Sequence, residues 1–120
     1  MSIETLEQLA ALIKKRRLEA QPEHSYVAHL NHKGLDKILG KLAEETMEVG
    51  LAAKEYEISQ SASNHKHCVN ELADLAFHLL VLLDHLDIKY QDVLEALAGR
   101  SHQSGLEEKR QRQVQNKLKR

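Results

Sequence analysis

His65-Lys66-His67-Cys68-Val69-Asn70-Glu71-Leu72-Ala73-Asp74-Leu75-Ala76-Phe77-His78-Leu79-Leu80-Val81-Leu82-Leu83-Asp84-His85-Leu86 is the stretch that decides the fold. Its apolar residues fall on nearly every side of a helix, and a helix apolar nearly all round is a buried one. Asp74, His78 and Asp84 break the apolar run far short of the roughly 20 residues of a membrane span. A chain of 120 residues has too few other helices to cover this one. Burial by a second copy, in a helical bundle completed by a homodimer, is the economical reading.

The flanking sequence supports an all-α class with four to five helices. Leu6, Leu9 and Ile13 share one stripe, and a first helix is expected from about Ile3 to Leu18. Residues Ala20 to Asn31, with Pro22 and Ser25, read mainly as connection, with one short turn through Tyr26 to Leu30 ahead of Gly34. Leu35, Ile38, Leu39, Leu42, Thr46, Val49 and Ala53 follow a 3.6 period and predict a long helix to about Ile58, roughly 36 Å at 1.5 Å per residue. Ser59 to Asn64 is a polar linker rich in N-cap candidates. Val93, Leu94 and Leu97 mark a further helix from about Tyr90 to Arg100. From Leu106 to Arg120 there are six basic and two acidic residues, a +4 tail after 105 residues that sum to −5. The expected organisation is therefore a helical domain over residues 1–105 and a basic tail over residues 106–120.

Composition excludes several function classes. Aromatics at 3% and a lone proline argue against an all-β domain. A net charge of −1 carries no basic field for nucleic acid. Cys68 as the sole cysteine excludes an internal disulfide and a Cys-rich metal site. Polar, acidic Met1-Ser2-Ile3-Glu4-Thr5 does not read as a signal peptide. A cytoplasmic protein with no membrane and no nucleic-acid partner is expected.

Chemistry concentrates in two acidic motifs, Glu44-Glu45-x-x-Glu48 and Glu71-x-x-Asp74. At about 100° per residue, Glu45 and Glu48 lie roughly 60° apart on one face, and Glu71 and Asp74 do the same on theirs. The first motif alone is also what a solvated helix face looks like. Glu71 and Asp74 differ, because they interrupt the most apolar helix, where unpaired carboxylates cost several kcal/mol each. If the two helices pack antiparallel through the Ser59–Asn64 linker, the pairs face each other as a four-carboxylate box. Like charges so placed repel, and a divalent cation relieves them. All-oxygen ligands suit Mg²⁺, or Mn²⁺, completed by water and substrate phosphates. A di-iron bundle needs Glu-x-x-His motifs, and no His here has a Glu three residues before it.

The spacing Glu45-x-x-Glu48, then Glu71-x-x-Asp74, resembles the signature of the all-α nucleoside triphosphate pyrophosphohydrolases, which include the MazG-type enzymes. A longer pattern is similar to one branch, the phosphoribosyl-ATP pyrophosphohydrolases of histidine biosynthesis: Ser25-Tyr26; Lys33-Gly34-Leu35-Asp36-Lys37-Ile38; Lys41-x-x-Glu44-Glu45-x-x-Glu48-Val49; Ala73-Asp74-Leu75; His78 to Leu83; and Ser104-Gly105-Leu106-Glu107-Glu108-Lys109. The resemblance implies hydrolysis of phosphoribosyl-ATP to phosphoribosyl-AMP and pyrophosphate, with Mg²⁺ neutralising the phosphates. Glu45, Glu48, Glu71 and Asp74 are then the metal ligands, with Glu44 a supporting or general-base carboxylate. Lys41 is the first candidate cation for a phosphate oxygen, ahead of Arg16, Arg17, Lys33, Lys109 and Arg112. Ser25 and Tyr26 are candidate nucleotide contacts, against a turn residue and a packing aromatic. The same box on (d)NTPs, in a MazG-type housecleaning pyrophosphohydrolase, is the alternative, and a non-catalytic helical dimerisation module is a second.

His78, four residues after Asp74, is placed either to orient that carboxylate or as a hydrogen-bonded core histidine. His65-x-His67-Cys68 resembles a zinc fragment, but i and i+2 on a helix point apart. Cys68 reads as a small core residue.

Overall fold

A computed structural model describes residues 2–100 and 105–118. Among them the elements are all helical: α1 (Ile3–Glu19), α2 (Tyr26–Lys33), α3 (Leu35–Ile58), α4 (Ala62–His85), α5 (Tyr90–Arg100) and α6 (Gly105–Leu118). The all-α class holds, with six helices among the described residues rather than four to five. The long helix α3 and the shorter α5 have the bounds their periodicity predicts.

Three differences have physical causes. The expected single turn at Tyr26 to Leu30 is an eight-residue helix. Ser25 caps its start, its Oγ accepting the Ala28 N–H at 3.2 Å, and Gly34 ends it at φ 98°, its N–H donating to the Leu30 carbonyl at 3.0 Å. So short a helix is held by caps and by the burial of Val27, Ala28 and Leu30, not by propensity. The linker is shorter than expected because Ser61, accepting the Asn64 N–H at 3.1 Å, starts α4 at Ala62. Asn64 also donates to the Ser59 carbonyl at 2.8 Å and pins the turn. In the basic segment, for which no element is expected from the sequence, Gly105–Leu118 is helical, as its Glu, Lys, Arg and Gln favour.

The chain divides into two compact units, one up to Ile88 and one from Lys89. In the first, α3 and α4 form an antiparallel hairpin, with α1 and α2 packed on it. Its core is Ile13 of α1, Val27 and Leu30 of α2, Ile38 of α3 and Val81 of α4, ringed by Leu9, Phe77, Leu80 and Leu82. Two polar ties fix the packing. Arg17 of α1 donates to Asp84 of α4 at 2.5 and 3.4 Å, and the His85 ring meets the Asn31 amide oxygen at 2.7 Å. The second unit carries α5 and α6.

Within this single chain α4 is not buried on all sides. His78 and Val81 are buried, whereas Val69, Leu72 and Leu79 of α4 stay 46–49% exposed, beside exposed Leu39, Met47 and Leu51 of α3. Within the first unit, α1 and α2 leave these side chains uncovered. No helix among the described residues is long and apolar enough to cross a membrane.

Candidate metal and phosphate site

The hairpin turn sets the register of the site. Glu45 lies fifteen residues before Gln60 and Asp74 fourteen after it, so antiparallel packing brings them level. One oxygen each of Glu45, Glu71 and Asp74 lies within 4.8 Å of the other two. The Glu45 and Glu71 side chains are only 12% and 16% exposed, and Asp74 opens to solvent. Three carboxylate oxygens from two helices, two on mostly buried side chains and one on an exposed side chain, fit a hard divalent cation that keeps water or phosphate on its free side. Glu48, one turn beyond Glu45, stands exposed and is not within that group.

Lys41 flanks the cluster. Its ammonium donates to Glu44 Oε2 at 2.8 Å and lies 3.6 Å from Glu45 Oε1. The hydrogen bond from Lys41 holds the Glu44 carboxyl below its ordinary range, and the same bond holds the Lys41 ammonium above its own. Lys41 thus stands charged beside the carboxylates. Glu44 is not within the three-carboxylate group, and its side chain is 64% exposed.

Other sequence candidates separate by position. Ser25 is buried and its hydroxyl caps α2. Tyr26 is half exposed, and its hydroxyl contacts His78 Nε2 at 2.7 Å. Arg17 is engaged by Asp84. Arg16 and Lys33 are exposed, on the last turns of α1 and α2. Lys109 and Arg112 lie on α6, in the second compact unit.

The sequence reading misses two features. His67 Nδ1 stands 3.9 Å from Glu71 Oε1, a contact that the i,i+4 spacing permits and that a search for zinc partners passes over. The second is the partner of His78, which is the hydrogen-bonded core histidine of the two readings given above: its Nδ1 lies 2.7 Å from the Asp74 backbone carbonyl, and its other nitrogen meets Tyr26. The spacing to Asp74 is legible; the partner on α2 is not.

A helical hairpin that gathers carboxylates from both arms around one point is the arrangement that the resemblance to the all-α nucleoside triphosphate pyrophosphohydrolases leads one to expect. The model of one family, phosphoribosyl-ATP pyrophosphohydrolase, matches residues 6–101. Among similar proteins, the phosphoribosyl-ATP pyrophosphatase of Neisseria meningitidis serogroup C is 50% identical over 94 residues, 78% of this chain and 81% of that one. The protein of the same name from Neisseria gonorrhoeae is 49% identical over the same shares. That of Ralstonia nicotianae is 43% identical over 115 residues, 93% of each chain. The chain belongs to the phosphoribosyl-ATP pyrophosphohydrolase family.

Proposed function

We propose that this chain hydrolyses phosphoribosyl-ATP to phosphoribosyl-AMP and pyrophosphate, the second step of histidine biosynthesis, in the cytoplasm and with Mg²⁺, which Mn²⁺ can replace. The carrying observation is the convergence of Glu45, Glu71 and Asp74 beside Lys41 in a chain of this family. Glu48 joins them as a fourth ligand by family resemblance. A bound divalent cation would neutralise charge on the phosphates. Lys41 exchanges Glu44 for a phosphate oxygen, and the freed Glu44 carboxylate is left as an acceptor beside the cluster. From resemblance, Arg16, Lys33, Lys109 and Arg112 are further phosphate contacts and Ser25 supports the nucleotide through α2. Residues 1–105 carry the activity and residues 106–120 form a basic accessory segment.

A homodimer is part of the same proposal. The uncovered apolar face of the α3–α4 hairpin, with Leu72, Leu79, Met47 and Leu51, supports it, since burial of such a face is favourable at roughly 25 cal/mol per Å². The deciding experiment is pyrophosphate release by purified protein with Mg²⁺ across phosphoribosyl-ATP and the common ribo- and deoxyribonucleoside triphosphates. Fastest release from phosphoribosyl-ATP is expected. Faster cleavage of deoxynucleotides would point to a housecleaning enzyme, and no release from any of them to a non-catalytic module.

A further inference from the structure

Tyr26 and His78 form a hydrogen-bonded pair at the edge of the carboxylate cluster. The His78 imidazole is buried, 5% exposed, while Tyr26 is 46% exposed. The phenol contacts Nε2 at 2.7 Å, and Nδ1 lies 2.7 Å from the Asp74 carbonyl. The rings meet edge to face, and Tyr26 also stacks on Phe77 with centroids 6.4 Å apart. His78 stands one helical turn from Asp74 on α4, so the phenol that meets its Nε2 lies beside the carboxylate group, and Lys41, Glu45, Glu44 and Asp74 are the charges it senses.

Proton bookkeeping then fixes what this oxygen can do. A carbonyl oxygen only accepts, so Nδ1 carries the ring hydrogen. In the neutral imidazole Nε2 is therefore the acceptor, and the phenol hydrogen is donated to it. The phenol oxygen is left with lone pairs alone to offer. Burial, and then Glu45, Glu44 and Asp74 against the opposing Lys41, hold the phenol above its ordinary range, so the hydrogen stays on it.

We propose that Tyr26 is a substrate-binding residue that accepts a hydrogen bond from the nucleoside part of the nucleotide, and that His78 is the positioning residue that makes Tyr26 acceptor-only. This rests on the nucleotide reading above. Phosphate oxygens offer only acceptors to such a group, so it repels them. Donors on the nucleoside are the ribose hydroxyls and the exocyclic amine of adenine. The nucleotide accordingly lies with its phosphates toward Lys41 and its nucleoside against Tyr26.

The test compares binding of AMP, 2′,3′-dideoxy-AMP and purine riboside 5′-monophosphate to the full chain with Mg²⁺, by NMR titration. The wild type is expected to bind one of the two analogues about three- to tenfold more weakly than AMP, and which one identifies the donor. Tyr26→Phe removes that difference. His78→Phe weakens it, and His78→Gln, whose amide oxygen takes the phenol hydrogen, restores it. Nitrogen-15 spectra of the wild type show the Nδ1–H form of His78, a readout independent of any variant's folding. Equal binding of all three ligands, a preference that survives in Tyr26→Phe, an Nε2–H form of His78, or no AMP binding overturns the inference. Failure of the substrate proposal reads out separately, as no pyrophosphate from phosphoribosyl-ATP.

Discussion

Glu45→Gln and Glu44→Gln separate the cluster from its surroundings, although the two residues are adjacent. The Glu45 side chain is 12% exposed and one of its oxygens lies within 4.8 Å of oxygens of Glu71 and Asp74. Glu44 is 64% exposed and is paired to Lys41 instead. A dication about 4 Å from a carboxylate gains roughly 2 kcal/mol at the dielectric of water and roughly 8 kcal/mol at an effective value near 20. Because the cluster opens to solvent at Asp74, the lower figure governs, and Glu45→Gln is expected to weaken Mg²⁺ or Mn²⁺ binding at least about thirtyfold. Glu44→Gln leaves the three oxygens in place and frees Lys41 toward Glu45, so a loss below about threefold is expected. Isothermal titration with Mn²⁺ measures both. Thermal melting adds a sign change. Removing one of three like charges raises the melting temperature without metal, while the further rise on adding metal shrinks. Equal losses from the two variants, or an unchanged Glu45→Gln, would refute the assignment of Glu45 to the cluster.

Three further outcomes are expected. Arg17→Ala strands an Asp84 carboxylate whose side chain is 12% exposed; with the partner itself 28% exposed, the cost is about 1–2 kcal/mol, read as a melting drop of roughly 4–16 °C for a unit this size, and an unshifted melting curve would mean that the pair contributes nothing. Tyr26 is held above its ordinary value of 10.0, chiefly by burial, so the unfolded chain loses its phenol proton first and stability falls as pH rises past about 10; ultraviolet titration should show one of the three tyrosines ionising late, and its disappearance in Tyr26→Phe identifies it. Light scattering should find the wild type at the mass of the proposed dimer and Leu72→Glu, on the exposed apolar side of α4, at that of a monomer, whereas equal masses would refute this face as the interface.

What was legible in the sequence tracks how local the determining contacts are. The bounds of α3 match because 24 residues repeat one apolar period, and Glu45, Glu71 and Asp74 converge because i,i+3 spacing and one short turn suffice to place them. Glu48 satisfies the same spacing yet is exposed and lies outside the group, so spacing alone does not tell it from Asp74. The eight residues of α2 are too few to carry a period, and their helix depends on Ser25, Gly34 and a core supplied by other elements. Contacts across such a core are beyond local pattern. Tyr26 meets His78 over 52 residues and Arg17 meets Asp84 over 67. Both depend on how α1 and α2 seat against α4, which Ile13, Leu30 and Val81 decide by being fully buried together. The convergence of the three carboxylates could therefore be anticipated from spacing, whereas the contact of the phenol with the imidazole became visible only once the core had fixed their helices.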